Sequence, residues 1–197
     1  IALETKEIFV PLAHRLGMAK LKWKLEDLSL KCLDLRAFNS IKKKIETSTR
    51  LNEDILSNAI KPIKSELNSY KIKSNIFGRY KSISSINRKI ERSGKKFEEI
   101  YDLYAIRIVV DKIEECYLAL GVIHSIYPPL QDRFKDFIAT PKTNGYQSIH
   151  TTVLTKDNRL TEFQIRTKDM DNTAEVGVAA HWLYKGSEEI GEFDTQV

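Results

Sequence analysis

The chain is poor in the residues that staple, break or bend a fold, with two Cys, five Pro and eight Gly among 197 residues. Cys32 and Cys116 stand far apart, each within an apolar helical pattern. They are therefore expected to be buried, and neither a disulfide framework nor a thiolate metal centre is expected. Such cysteine usage fits a reducing cytoplasm. No apolar run is long enough to span a bilayer, and no signal or transit peptide is visible. Nucleophile and metal signatures are missing too. There is no Gly-x-Ser-x-Gly elbow, no His-Glu-x-x-His pair and no Walker loop. His14 and His124 lie in helical patterns without ligand spacing, and His181 beside Trp182 reads as a packing or capping residue. The chain starts without Met, inside a helical pattern, and reads as a fragment of a longer protein.

What is present is a globular composition, 42% apolar and 30% charged, enough to bury a core. The net charge of +5 and a pI near 9.0 favour phosphate-bearing partners, nucleotides or nucleic acid, without choosing between them.

The first seventy residues have helical periodicity. Leu21, Leu25, Leu28, Cys32 and Leu35 form a stripe that asks for partner helices, preceded by Ile8, Leu12 and Leu16 and followed by Ile41, Ile45, Ile55, Ile63 and Leu67. The expectation is a small helical bundle over 1–68, with Pro62 kinking or splitting its last helix. From residue 69 to 197 short β-rich runs alternate with helices. Strands are expected at 70–77, Tyr104–Val110, 146–154 and Leu160–Thr167, the last two joined as a hairpin around Asp157-Asn158. Helices are expected at 82–92, Ile113–Ile126 and 168–185. The fold class is α+β: a mixed sheet flanked by helices, with a helical bundle in front.

Three stretches carry candidate chemistry. In the first, a strand is expected to end at Gly78 and a helix to follow. Lys81, Ser85 and Lys89 are spaced four apart and so share one face, while Ile83, Ile86 and Ile90 face the core. With Arg79 and the amides of the first helical turn, this makes a triphosphate cradle, although a basic solvated helix face fits the same spacing. The second is a pair of acids. Asp102 precedes one strand. Glu162 shares a face of another with Gln164 and Arg166, at intervals of about 7 Å. Two carboxylates on neighbouring strands suit magnesium on nucleotide phosphates, and ordinary salt bridges explain them as well. The third runs from Arg133 through Lys135 and Asp136 to Lys142, Asn144, Tyr146 and His150. If Tyr146 opens a strand, then Tyr146, Ser148 and His150 share a face. A base stacked on Tyr146, with cations for its phosphates, makes a nucleotide site, against the plainer reading of a strand aromatic and a satisfied histidine.

In order along the chain, these segments resemble the synthetase domain of the RelA/SpoT family, which makes the alarmone (p)ppGpp. The resemblance rests on residues 78–81 (Gly-Arg-Tyr-Lys), 101–107 (Tyr-Asp-Leu-Tyr-Ala-Ile-Arg), 133–139, 141–151, 164–167 and 174–182. Lys22-Trp23-Lys24-Leu25-Glu26-Asp27-Leu28 resembles the family's helical linker. The resemblance implies a nucleotidyltransferase-like fold and pyrophosphate transfer from ATP to the 3′-hydroxyl of GTP or GDP. By position it implies that Arg79, Lys81, Ser85 and Lys89 bind ATP, and that Lys142, Asn144, Tyr146 and His150 surround GTP or GDP, with Tyr146 stacked on guanine. It assigns magnesium to Asp102 and Glu162, with Glu162 the candidate base and Gln164 beside it. Arg133, Lys135 and Asp136 match the basic motif of bifunctional members, which implies a hydrolase domain upstream and regulation by the ribosome or other partners through further domains. Asp132 stands where the family motif has Gly, and the hairpin tip at 156–159 is slightly long. A basic RNA- or ribosome-binding module, or a regulatory remnant without activity, is the rival reading.

Overall fold

A computed structural model of the chain describes residues 1–94, 97 and 104–177. The chain opens with helices α1 (Ala2–Glu4) and α2 (Val10–Arg15), joined through a π-helical turn at Thr5–Phe9, then α3 (Ala19–Leu33) and the long α4 (Leu35–Ser69). A five-stranded sheet follows: β1 (Asn75–Tyr80), β2 (Tyr104–Val110), β3 (Lys135–Asp136), β4 (Ile149–Leu154) and β5 (Leu160–Thr167). Between and after the strands lie α5 (Ile83–Ser93), α6 (Ile113–Ile126) and α7 (Lys168–Val176). The strand order is β1-β2-β5-β4-β3. Only β2 and β5 run parallel, so the sheet is mixed as expected.

The alternation of side chains along a strand gives this sheet two unlike faces. Ile106, Ile108 and Val110 of β2 and Phe163 and Ile165 of β5 are buried on one side. There they pack with Ala59, Ile63 and Leu67 of α4 and with Cys116, Ala119 and Ile123 of α6. The β-branched residues of β2 suit a pleated, covered strand. Pro62 does not split α4, which runs unbroken through it. Its missing N–H costs one helical hydrogen bond, but Ala59, Ile63 and Leu67 around it are anchored in the core at 4, 0 and 0% exposure, and that burial outweighs the loss.

Several boundaries moved. The strand expected at 70–77 starts at Asn75, because α4 continues to Ser69 and the chain then turns through Lys71 at φ 59°. Gly78 therefore sits inside β1 rather than at its end, where an added Cβ would meet Leu56 Cδ1 at 3.1 Å. Lys81 precedes α5 instead of lying on it, since Ser82 caps the helix. Tyr146 does not open β4, which begins at Ile149. The last helix stops at Val176, with Gly177 at φ 79°. Asp102, His181 and Trp182 lie outside the described residues.

The α3 stripe is the largest departure. Leu21, Leu28, Leu35 and Cys32 are exposed, and the buried residues of α3 are Glu26 and Ser29. The polar side turns inward because it finds charged partners on α5, as Glu26 pairs with Arg88 at 2.6 Å. The two thiols therefore differ sharply. Cys116 is fully buried, and burial among apolar groups pushes its pKa up to about 12, whereas Cys32 is open to solvent. Because the thiolate is the nucleophile, the folded chain should react with one equivalent of a disulfide reagent at pH 8. A second equivalent should react only on denaturation. A Cys32→Ser variant that still reacts quickly would contradict this burial.

Candidate nucleotide-binding site

The second face of the sheet is polar by register. Arg79, Ala105, Glu162 and Thr152 lie side by side across four strands, and the next row is Phe77, Arg107, Gln164, His150 and Lys135. Residues two apart along a strand share a face, so these rows and Arg166 beyond them make one charged surface where the other face is hydrocarbon.

Three arginines on that face need anions, and α7 supplies them. Asp171 and Glu175 are one turn apart on this helix. Arg107 Nη1 donates to Asp171 Oδ1 at 3.0 Å and to Glu175 Oε1 at 2.9 Å. Arg166 Nε lies 3.1 Å from Asp171 Oδ1, and Arg79 Nη1 donates to Glu175 Oε1 at 3.3 Å. The side chains of Arg107 and Arg166 are only 4% and 2% exposed, so these pairs are buried charges that need each other.

Above this layer, Glu162, Gln164, His150 and Tyr146 form a chain of hydrogen bonds. His150 Nδ1 meets Glu162 Oε1 at 3.0 Å, Tyr146 Oη meets His150 Nε2 at 2.7 Å, and Gln164 Nε2 donates to Glu162 Oε1 at 3.2 Å. In the neutral ring the Nδ1–H then donates to Glu162 and Nε2 accepts from the Tyr146 hydroxyl. Burial alone would raise the Glu162 carboxyl. The hydrogen bond from His150, the Gln164 amide and the charge of Lys81 outweigh it and hold Glu162 below the ordinary carboxylate range. Burial raises the Tyr146 phenol, so its hydroxyl stays protonated at neutral pH.

A cavity of about 440 Å³ opens on this face. Arg79, Lys81, Ser85 and Lys89 line it together with Lys142, Asn144, Tyr146, His150 and Gln164. All four residues expected for ATP and all four expected for GTP or GDP thus share one cavity. Lys142 Nζ lies 4.4 Å from the Phe137 ring centre and 5.0 Å from that of Tyr146. Asn144 Oδ1 accepts from Tyr146 N–H at 3.3 Å, in a turn that Gly145 makes at φ 75°. Glu162 is not itself a lining residue and reaches the cavity wall through His150 and Gln164.

The basic motif is not drawn in. Arg133 lies in a short 3-10 turn and Lys135 on edge strand β3, both exposed and neither lining the cavity. Asp136 serves its own turn: Oδ1 accepts from Ile138 and Ala139 N–H at 2.9 Å, and Oδ2 accepts from the Tyr117 hydroxyl at 3.0 Å. Ser148, expected on the site face, is fully buried and donates to Ile165 O at 3.0 Å. Sequence reasoning missed Arg107, Asp171 and Glu175, whose pairing depends on sheet register. It also missed His14, Lys22 and Trp23, which line the cavity from α2 and α3.

Comparison with known proteins assigns the family. The model of the region found in RelA/SpoT proteins matches residues 78–189. The chain is 45% identical over 95% of its length to a guanosine-3′,5′-bis(diphosphate) 3′-pyrophosphohydrolase of Spiroplasma citri. It is 45% identical over 93% to the bifunctional (p)ppGpp synthase/hydrolase RelA of Mycobacterium tuberculosis, and 42% over 93% to the GTP pyrophosphokinase of Escherichia coli. It spans 25% of the length of each of these relatives. Among solved structures, small alarmone synthetase 2 of Bacillus subtilis matches 75% of this chain and 82% of its own at 28% identity and TM-score 0.54. Small alarmone synthetase 1 from the same organism, bound to its product pppGpp, shares the fold at 22% identity and TM-score 0.52, over 74% of this chain and 83% of its own.

The buried charge layer gives a stability test. Asp171→Ala leaves Arg107 and Arg166 short of a counter-ion and should lower the unfolding free energy by about 3 kcal/mol in urea denaturation, the usual cost of orphaning a buried ion. Asn172→Ala, exposed on the same helix, should stay within about 0.5 kcal/mol of the wild type. Equal small losses in both would contradict the layer. Register, cavity and sequence match agree, and the chain belongs to the RelA/SpoT family.

Proposed function

We propose that the chain transfers pyrophosphate from ATP to the ribose 3′-hydroxyl of GTP or GDP, giving AMP and (p)ppGpp, with residues 69–197 as the synthetase domain and 1–68 as its helical lead-in. The observation that carries this reading is the shared cavity, which the ATP set and the guanine set both line. The names of the relatives support it, as does the product bound by small alarmone synthetase 1.

In this reading Arg79, Lys81 and Lys89 take the donor's phosphates, with Ser85 near the N-terminus of α5, where backbone amides favour anions. The purine of the acceptor stacks on Tyr146, with Lys142, Asn144 and His150 around its sugar and phosphates. In this reading Glu162, behind His150 and Gln164, accepts the proton of the 3′-hydroxyl as the oxygen attacks the β-phosphorus and AMP leaves. Glu162 is ionised at neutral pH and is held in place by His150 and Gln164, as a fixed proton acceptor requires.

Magnesium on nucleotide phosphates needs only one or two carboxylates, because phosphates and waters fill the other positions. Glu162 fits that donor set, and Asp102 precedes Ala105, the register partner of Glu162, by three residues. When bound, the ion supplies positive charge against the transferring group. The exposed Arg133 and Lys135 belong to a basic motif shared with bifunctional members. Hydrolase activity and control by the ribosome or other regulators would then reside elsewhere in a longer cytoplasmic protein. The names of the relatives, a (p)ppGpp synthase/hydrolase and a GTP pyrophosphokinase among them, support the transferase reading over a basic RNA-binding module.

Incubated with ATP, GTP and magnesium, the purified chain should release AMP and pppGpp in equal amounts. Glu162→Gln and Asp102→Asn should abolish synthesis without unfolding the chain, and substantial product from either would sink the assignment. Tyr146→Ala should raise the KM for GDP by about tenfold, the worth of one base stack, while Tyr146→Phe keeps the ring and stays near the wild-type KM.

A further inference from the structure

The helical lead-in makes three specific contacts with β1 and α5, the elements that carry Arg79, Ser85 and Lys89. The Trp23 ring centre lies 3.6 Å from the guanidinium carbon of Arg79. Asp27 Oδ1 accepts from the Ser84 N–H, in the first turn of α5, at 2.8 Å. Glu26 Oε1 takes Arg88 Nη2 at 2.6 Å and Lys22 Nζ at 3.7 Å, and Glu26 is 6% exposed. Behind these contacts the turn between α2 and α3 packs backbone to backbone against the end of α7. A Cβ on Gly177 would come within 2.3 Å of Leu16 O, so only glycine admits this approach. Helix α3 is thus locked onto the site by its polar side.

A guanidinium is planar and can stack on both faces. In Arg79 one face is covered by Trp23 and the Nη1 edge is held by Glu175, while the side chain keeps 26% exposure and lines the cavity. An arginine fixed in this way has given up its rotamer freedom before any ligand arrives. Asp27 acts on the adjoining element, tying the first turn of α5 and with it the spacing between Ser85, Lys89 and Lys81.

We propose that Trp23 is a positioning residue of the donor site: it backs the Arg79 guanidinium and fixes it in the cavity for ATP, with Asp27 steadying α5 alongside. The donor site is therefore built by α3 and the sheet together. The proposal rests on the pyrophosphate-transfer reading and assigns the helical lead-in a part in binding the nucleotide.

The test uses Trp23→Leu, which keeps apolar volume but removes the ring, and Trp23→Phe, which keeps a ring. KM for ATP and GDP, kcat, and the Kd of α,β-methylene-ATP by calorimetry are measured for each. Trp23→Leu should weaken both ATP constants about tenfold, the worth of a partly desolvated cation–π contact. KM for GDP and kcat should hold, and Trp23→Phe should recover most of the loss. An ATP affinity unchanged in Trp23→Leu would make Trp23 plain packing, and a tightened one would make it a competitor of the nucleotide; either overturns the proposal. If Trp23→Leu does not fold, Asp27→Ala against Asp27→Asn decides. The Ala variant should raise KM for ATP about threefold, the loss of one helix-terminal acceptor, with the Asn variant near wild type; equal values overturn the proposal. A wild-type chain that binds no ATP analogue refutes the functional reading itself, whereas wild-type binding with an indifferent Trp23→Leu refutes only the role of Trp23.

Discussion

The structure depends on how two acids of one short helix hold three arginines of the sheet. Asp171 and Glu175 bind Arg107, Arg166 and Arg79 on the polar face, with two of those arginines almost wholly buried. Without the acids, that much positive charge on neighbouring strands would repel itself and could not leave water. With them, the sheet can carry hydrocarbon on one side and a fixed array of cations and polar groups on the other. The cavity forms over this array, and the His150–Glu162–Gln164 cluster stands on it.

Strand register explains why candidate site residues from distant parts of the chain meet. Parallel pairing of β2 with β5 sets Ala105 beside Glu162 and Arg107 beside Gln164, and antiparallel pairing of β4 brings His150 to Gln164. Helix α5 follows β1 directly, so its capped first turn starts at the rim of the same face. Such preorganisation is what transfer of a charged group asks of a protein, because most of the work lies in positioning and charge stabilisation.

Much of this was legible in the sequence where one physical rule dominates. Period-two alternation placed Phe163 and Ile165 inside and Glu162 and Gln164 at the site, and the Asp157-Asn158 turn predicted the β4–β5 hairpin. The four-residue spacing of Ser85 and Lys89 put both on one face of α5. Periodicity misled on α3, where Leu21 and Leu28 belonged to the expected stripe but Glu26 and Ser29 are buried. Ion pairing and capping across α3 and α5 outweighed apolar burial there, and a sequence pattern holds no record of a partner fifty or sixty residues away. For the same reason Trp23 gave no sign that it would meet Arg79, nor Asp171 that it would meet Arg107. The end of α4 was misplaced because Tyr70 has strand preference yet sits, exposed, in the helix-terminating turn before Lys71.

The central claim is that one cavity holds donor and acceptor at once, face to face. A crystal structure of the chain with α,β-methylene-ATP, GDP and magnesium tests it most directly. The account predicts guanine on the Tyr146 ring, donor phosphates against Lys81 and Lys89, and the GDP 3′-oxygen between Glu162 and the β-phosphorus. Two nucleotides bound in separate places, or a 3′-oxygen turned away from Glu162, would contradict it.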